Sequence, residues 1–518
     1  MTKFVMNHES RPTALIIGSG FGGIATGIRL QARGYKTIIF EKLNQPGGRA
    51  SVFRQDGFTF DAGPTIVTAP FLLEELWDLC GRKFSDSVTL KEMRPFYRIR
   101  FDDGTFFDYS GNPERMREQI RKFSPNEVKS YDNFMKKAEL CYQLGYEDLG
   151  NLPYNTLTDL IKSIPSMIRM KAWQSIYKSV SKYFRNEKLR QVFSFHPLLI
   201  GGDPSAVTCV YSLIAALEKR YGVHSAIGGT GAIVSAMVDL YEDIGGEIIY
   251  NSEVAKIDVQ QSRTKGLFLK SGKYFKSNVI VSNGDTAWTY THLLDKTYRK
   301  KWSDKKIRNS SFSMSLFVWY FGTSKIYQDV KHHTILLGKS YLPLLQKIFR
   351  EKKLSEDFSL YLHRPTATDK SMAPPKHDTF YVLSPVPNLL GKIDWEKEKE
   401  SYREKIETYL ENTVLPGLTK SIVTSKVFTP NDFEQRYLAF NGAAFGMEPL
   451  LLQSAWFRPH NKSEDIKGLY MVGASTHPGA GIPGVLTSAK LLDKVIPESF
   501  AKRKVTDKKT GEQAYGSA

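Results

Sequence analysis

The chain is poor in cysteine. Its 518 residues hold three, Cys80, Cys141 and Cys209. They form no C-x-x-C pair, which argues against a disulfide-reducing flavoenzyme and suits a reducing, cytoplasmic compartment. Long apolar runs are missing as well. With no uninterrupted stretch of about 18 apolar residues there is no candidate membrane span, and the polar N-terminus shows no secretory signal. Acidic residues are in deficit: 54 Asp and Glu face 72 Lys and Arg, a formal net charge of +18. That balance favours an anionic partner, a phospholipid surface ahead of nucleic acid. No nucleic-acid-binding motif accompanies it, and no nucleic-acid partner is expected. The ten histidines show no metal-ligand spacing. No metal is expected, and the adjacent pair His332-His333 reads as two exposed loop residues. What remains is a globular composition, long enough for two or three domains.

Glycine, by contrast, is placed with purpose. The apolar run Ala14-Leu15-Ile16-Ile17 enters Gly18-Ser19-Gly20-Phe21-Gly22-Gly23, a G-x-G-x-x-G motif with Gly18, Gly20 and Gly23 at the three positions. A second apolar run, Thr37 to Phe40, ends at Glu41, 18 residues after Gly23. Strand, glycine turn, helix, strand and terminal acid make a dinucleotide-binding unit. The helix, expected from about Gly22 to Ala32, aims its N-terminal amides at a pyrophosphate. Glu41 accepts from ribose hydroxyls and repels a ribose phosphate, which disfavours NADP. The motif alone leaves NAD and FAD both open.

Further glycines extend the site. Pro46-Gly47-Gly48-Arg49-Ala50 brings a backbone close approach beside a cation suited to phosphate, or else a turn with a surface arginine. Gly228-Gly229-Thr230-Gly231-Ala232 imitates a second nucleotide turn, but Val234 stands where the third glycine belongs. It reads as a helix start ahead of the strand Glu247 to Tyr250, leaving one dinucleotide. Near the C-terminus, the strand Leu469 to Val472 enters Gly473-Ala474-Ser475-Thr476-His477-Pro478-Gly479-Ala480-Gly481-Ile482-Pro483-Gly484-Val485 and a helix from Leu486 to about Ile496. A long dinucleotide held from both ends of the chain, FAD, explains two such junctions, and the helix start suits negative charge on a reduced flavin.

The fold class expected is α/β. A Rossmann-type domain is assembled from the discontinuous segments 1–80, 221–300 and 461–500. A helical, basic region covers 81–220, an α+β substrate domain with a second sheet covers 301–460, and a disordered polar tail covers 501–518. From Ile161 to Phe193, eight basic residues including Lys162, Arg169 and Lys171 oppose the single acid Glu187. Ile161, Ile164, Ile168, Trp173, Ile176, Val180 and Phe184 are interleaved among them. Two readings stand: a monotopic membrane contact, or a core-facing helix pair with a solvated basic back.

The stretches Ile16 to Gly23, Pro46 to Ala50, Gly57 to Thr65 and Ala474 to Val485 closely resemble bacterial phytoene desaturases of the carotenoid pathway. So do Phe193 to His196, Asp357 to His363 and Gln453 to His460. The resemblance runs from about residue 12 to about 497. It implies an FAD-dependent relative of the amine oxidase superfamily that dehydrogenates phytoene stepwise, typically to neurosporene or lycopene. It also implies peripheral attachment to the inner face of the cell membrane, where the substrate dissolves, with oxygen or a membrane quinone as acceptor. Carried onto this sequence, Gly18, Gly20, Gly22, Gly23, Glu41, Gly48 and Arg49 fall on the FAD motif. Gly473, Ala474, Gly484 and Val485 fall on the C-terminal cofactor junction, and Val254 falls where the backbone passes the adenine. Asp159 matches a polar residue proposed for the substrate cavity and is the candidate catalytic group. Lys162 stands where better-known relatives carry arginine, keeping the charge and losing the fork. Activity on diapophytoene, or carotenoid oxidation or isomerisation, is the neighbouring alternative. A non-catalytic isoprenoid carrier like the Rab GDP-dissociation inhibitors is the remote one. The motifs assign no oligomeric state.

Overall fold

The computed structural model describes residues 11–499. The strand Thr13–Ile17 lies at the centre of a five-stranded parallel sheet, in the order Leu469–Met471, Val279–Ser282, Thr13–Ile17, Lys36–Phe40, Glu247–Ile249. All three segments expected to build the nucleotide half supply strands. Side chains alternate across this sheet as a strand's period of two requires. Ala14, Ile16 and Ile39 pack on one face with the helix Phe21–Ala32. Leu15, Ile17, Ile38 and Phe40 pack on the other with a three-stranded antiparallel sheet, Val254–Gln260, Arg263–Leu269 and Tyr274–Lys276.

Two more helices cover the first face, Gly229–Asp243 and the C-terminal Ile482–Val495. Ion pairs tie the last helix to the first: Arg29 meets Asp493 at 2.8 Å and Glu75 at 2.7 Å, and Lys490 meets Glu75 at 2.7 Å. Beyond the helix, Arg33 donates to the Ile496 carbonyl at 2.7 Å and Tyr35 to that of Pro497 at 2.8 Å. The tail expected over 501–518 lies outside the described residues.

The second half is a seven-stranded sheet. Its order is Ile422–Phe428, Ser315–Thr323, Asp378–Val386, Leu360–His363, His333–Leu336, Tyr97–Arg100, Phe106–Tyr109. Ser315–Thr323 is buried on both faces. Phe317, Trp319 and Phe321 pack toward the helix Trp395–Thr413, while Leu316, Val318 and Tyr320 join the main core. Two of the seven strands come from 81–220, the segment that reads as helical. Arg98 and Asp108 face each other across them in a bidentate ion pair, 2.8 Å on both arms.

The structure corrects the reading of His332-His333. Both are buried, and His333 opens a strand in register with His363. The three rings bring one nitrogen each within 4.8 Å of the others. Burial pushes His332 down to about 3 and the other two well below the ordinary histidine value. The residue at 363 meets the pair only across the sheet, so no spacing in the sequence signals the group.

The basic segment divides. Ile176, Val180 and Phe184 are core residues with no exposure. In the helix Leu157–Met170, however, Leu157, Ile161, Ile164 and Ile168 are each 44–61% exposed, with Trp173 at 60% just beyond. Spaced at i, i+4, i+7 and i+11 they form one apolar stripe, and that stripe faces outward. Among the described residues no helix is long and apolar enough to cross a membrane.

Candidate functional site

One cavity of about 550 Å³ runs between the two halves. The strand Thr13–Ile17 delivers its first wall. Gly18 turns the chain at φ +89°, where a side chain would be strained, and the helix starts at Phe21. A Cβ on Gly23 would sit 2.0 Å from the Gly18 carbonyl oxygen, so only glycine lets this helix approach the turn. Gly23 therefore lies behind the cavity wall. Gly18, Gly20, Gly22, Glu41, Gly48, Arg49, Val254, Gly473, Ala474, Gly484 and Val485 all line it.

Glu41 is buried at the end of its strand. Its carboxylate accepts from the Ser19 amide at 2.8 Å, the Ser19 hydroxyl at 2.6 Å and the Leu43 amide at 2.8 Å. About one of its roughly four acceptor positions is left for a ligand hydroxyl. Arg49 has no ion pair among the described residues, and its Nε is buried without a partner. Burial lowers its pKa, against the pull of Asp285. An unpartnered guanidinium beside glycine backbone fits a pyrophosphate.

Sequence reasoning missed Asn283 and Asp285, just past the strand Val279–Ser282. The Asn283 amide fills the notch that the glycines leave: its Nδ2 would lie 2.9 Å from a Cβ on Gly20, and its Oδ1 2.5 Å from one on Gly22. Asp285 caps the helix Thr286–His292 by accepting from the Trp288 amide at 3.1 Å, and accepts from Ser475 Oγ at 2.8 Å. It thereby ties the end of the strand Val279–Ser282 to the C-terminal cofactor junction. An acid two or three residues after a buried strand, where a helix begins, was the available signal.

Asp159 is placed elsewhere. It does not line the cavity. Its carboxylate accepts from the Thr156 amide at 2.9 Å and closes the capping box of Leu157–Met170. The capping geometry commits it to the helix start. The cavity continues past the cofactor end between Met167, Met170, Leu198, Ile200 and Val210, an apolar wall backed by the helix with the exposed stripe.

A family model described as flavin containing amine oxidoreductase matches residues 21–491. The chain belongs to that family. As a member of that family it takes FAD, which supplies a two-electron acceptor when bound. The chain is 46% identical over 499 residues to the neurosporene-forming phytoene desaturase of Rhodobacter capsulatus, covering 95% of each chain. It is 45% identical over 487 residues to the lycopene-forming phytoene desaturase of Pseudescherichia vulneris, covering 94% of this chain and 99% of the relative. The structure of putrescine oxidase bound to putrescine superposes with a TM-score of 0.63 at 12% identity, over 94% of this chain and 99% of that one. At that identity the likeness is one of fold.

Proposed function

We propose that this protein is an FAD-dependent phytoene desaturase, introducing double bonds stepwise to give neurosporene or lycopene. The observation that carries the reading is the cavity itself. At one end lie the glycine turn, Glu41 and Arg49; at the other the wall is apolar, with Met167, Met170, Leu198, Ile200 and Val210. A hydrocarbon substrate has no group for a charged site to grip, so positioning and water exclusion dominate. In this reading Gly18, Gly20, Gly22, Glu41, Gly48, Arg49 and Val254 hold the nucleotide. Gly473, Ala474, Gly484 and Val485 hold the flavin end, and Gly23 supports the turn from behind. The segments 1–80, 221–300 and 461–500 form the FAD-binding domain, and 301–460 the substrate sheet.

The substrate enters from a membrane surface at the cytoplasmic, inner face. The exposed stripe Ile161, Ile164 and Ile168, flanked by Lys162, Arg169 and Lys171, supports this: it is an amphipathic interfacial helix with basic residues at headgroup level. Oxygen or a membrane quinone takes the electrons onward. The test is purified protein with FAD and phytoene-loaded liposomes, followed by chromatography. Visible polyene bands of neurosporene or lycopene are expected. Turnover of the shorter diapophytoene in preference would move the substrate class. Colourless extracts, with FAD bound and an acceptor present, would overturn the reading.

A further inference from the structure

Removing two hydrogens from adjacent carbons releases a proton inside an apolar cavity, and some group must take it. The acidic side chains that line the cavity are already engaged. Glu41 is held by Ser19 and Leu43, and Asp285 by Trp288 and Ser475. Glu218 accepts from Tyr97 at 2.6 Å and bonds His196 at 3.1 Å, and Glu253 pairs with Lys270 at 2.8 Å. Tyr361 and Tyr381 both bond Thr65 at 3.0 Å.

His477 differs from all of these. It lines the cavity in the loop between Gly473 and the start of the C-terminal helix, and only 3% of it is exposed. Neither ring nitrogen has a hydrogen-bond partner. The Leu152 backbone approaches the ring, without meeting hydrogen-bond geometry. Tyr154 packs edge-on at 5.0 Å, also buried, also lining the cavity, and its hydroxyl is likewise unpartnered. A buried imidazole with both nitrogens idle is costly unless a bound molecule or a reaction uses it. Burial, with the neighbouring His460 and Arg458, pushes its pKa down to about 3, so the ring is neutral and carries a free lone pair at physiological pH. Tyr154 is the poorer acceptor, because burial pushes its pKa up to about 12 and keeps its proton on.

The geometry points to His477 as the catalytic base of the desaturation, with Tyr154 as its positioning partner. The role rests on the desaturase reading above. One substrate C–H bond breaks with its electron pair leaving toward the flavin, the hydride acceptor. The vicinal C–H bond then breaks, its electron pair becomes the new π bond, and its proton goes to the imidazole lone pair. A base of low pKa suffices, since a carbocation is a far stronger acid than imidazolium. The low pKa also means that the proton is passed on readily, to the oxygen or quinone that reoxidises the flavin, and the ring is neutral again for the next step.

The experiment compares wild type, His477→Gln and His477→Ala as full-length holoenzymes. Flavin bleaching is followed after anaerobic mixing with phytoene liposomes, beside FAD content and melting temperature. Without a base to take the vicinal proton, the carbocation recaptures its hydride and net flavin reduction waits on proton loss, so both variants are expected to keep FAD and melt near wild type, yet bleach on the order of 100- to 1,000-fold slower. Added imidazole is expected to restore His477→Ala, where it can occupy the space left by the ring, and not His477→Gln. Wild-type bleaching rates in the variants would overturn the role, and so would slow bleaching that imidazole never rescues. Loss of FAD from both variants would also overturn it, making His477 part of the cofactor seat. A wild-type enzyme that does not bleach with phytoene fails before any variant is compared, and overturns the substrate reading and this role together.

Discussion

Arg49, half-buried, and Asp61, buried, carry opposite expectations. Among the described residues Arg49 has no protein partner to lose, so Arg49→Ala costs the fold little and the cofactor much. A charge-assisted hydrogen bond of about 1.5–3 kcal/mol corresponds to FAD binding weakened roughly 10- to 150-fold, with Arg49→Lys in between. Titration by flavin fluorescence measures this, and an unchanged dissociation constant would remove Arg49 from the phosphate site. Asp61 accepts from the Gly231 amide at 3.3 Å, and burial raises its pKa to about 6, against backbone hydrogen bonds from Thr230 and Gly231. Its folded pKa exceeds the unfolded one, so the stabilisation is full at acid pH and is lost as pH rises through about 6. The penalty above that is up to about 3 kcal/mol. Asp61→Asn keeps the acceptor and removes the charge. It is expected to melt higher than wild type at pH 7.5 and to lose that advantage toward pH 4.5. A variant that melts lower at both values contradicts the argument. The sequence announced Gly18, Glu41 and Arg49 because a linear motif carries them. Asn283 and His477 stand in legible segments, yet their roles arise only where 283 meets 20 and 22, and where 477 meets 154.

At the scale of elements, the parallel strands were legible because each is a short apolar run beside a glycine turn or an acid. Tyr97–Arg100 and Phe106–Tyr109 were not. Each is four residues long; Tyr97–Arg100 alternates charge with apolar groups and joins the sheet through His333–Leu336, more than 200 positions away, and Phe106–Tyr109 is an edge strand paired only with Tyr97–Arg100. The helix Leu157–Met170 was legible as amphipathic, but periodicity cannot say whether an apolar stripe faces a core or a lipid. The exposure of Ile161, Ile164 and Ile168 gives the stripe a test. The triple change to Gln is expected to abolish co-sedimentation with anionic liposomes, since each apolar side chain contributes about 1.5–3 kcal/mol when buried. FAD content and melting temperature should hold. Undiminished liposome binding would move the contact to another surface.

For the whole molecule, the cavity wall draws on residues from Ile17 to Thr487, so a ligand there ties distant segments into one cooperative unit. FAD at about 100 times its dissociation constant contributes roughly 2.7 kcal/mol, or a melting shift on the order of 3 °C for a chain of this size. Differential scanning calorimetry with and without FAD measures it. A melt indifferent to FAD would mean that the cofactor does not bind between these walls.

The parallel sheet also sets a timetable. Its central strand is finished by Ile17, yet the edge strand is Leu469–Met471, and the helix that covers Phe21–Ala32 ends at Val495. A ribosome adding roughly 5–20 residues per second makes the first strand wait on the order of half a minute to a minute and a half for the sheet's last strand and its covering helix. Through that interval the glycine turn is present without its opposite wall. FAD capture thus waits for the last helix, and a messenger that stalls before it yields a protein unable to hold flavin, however much of its sequence has been made.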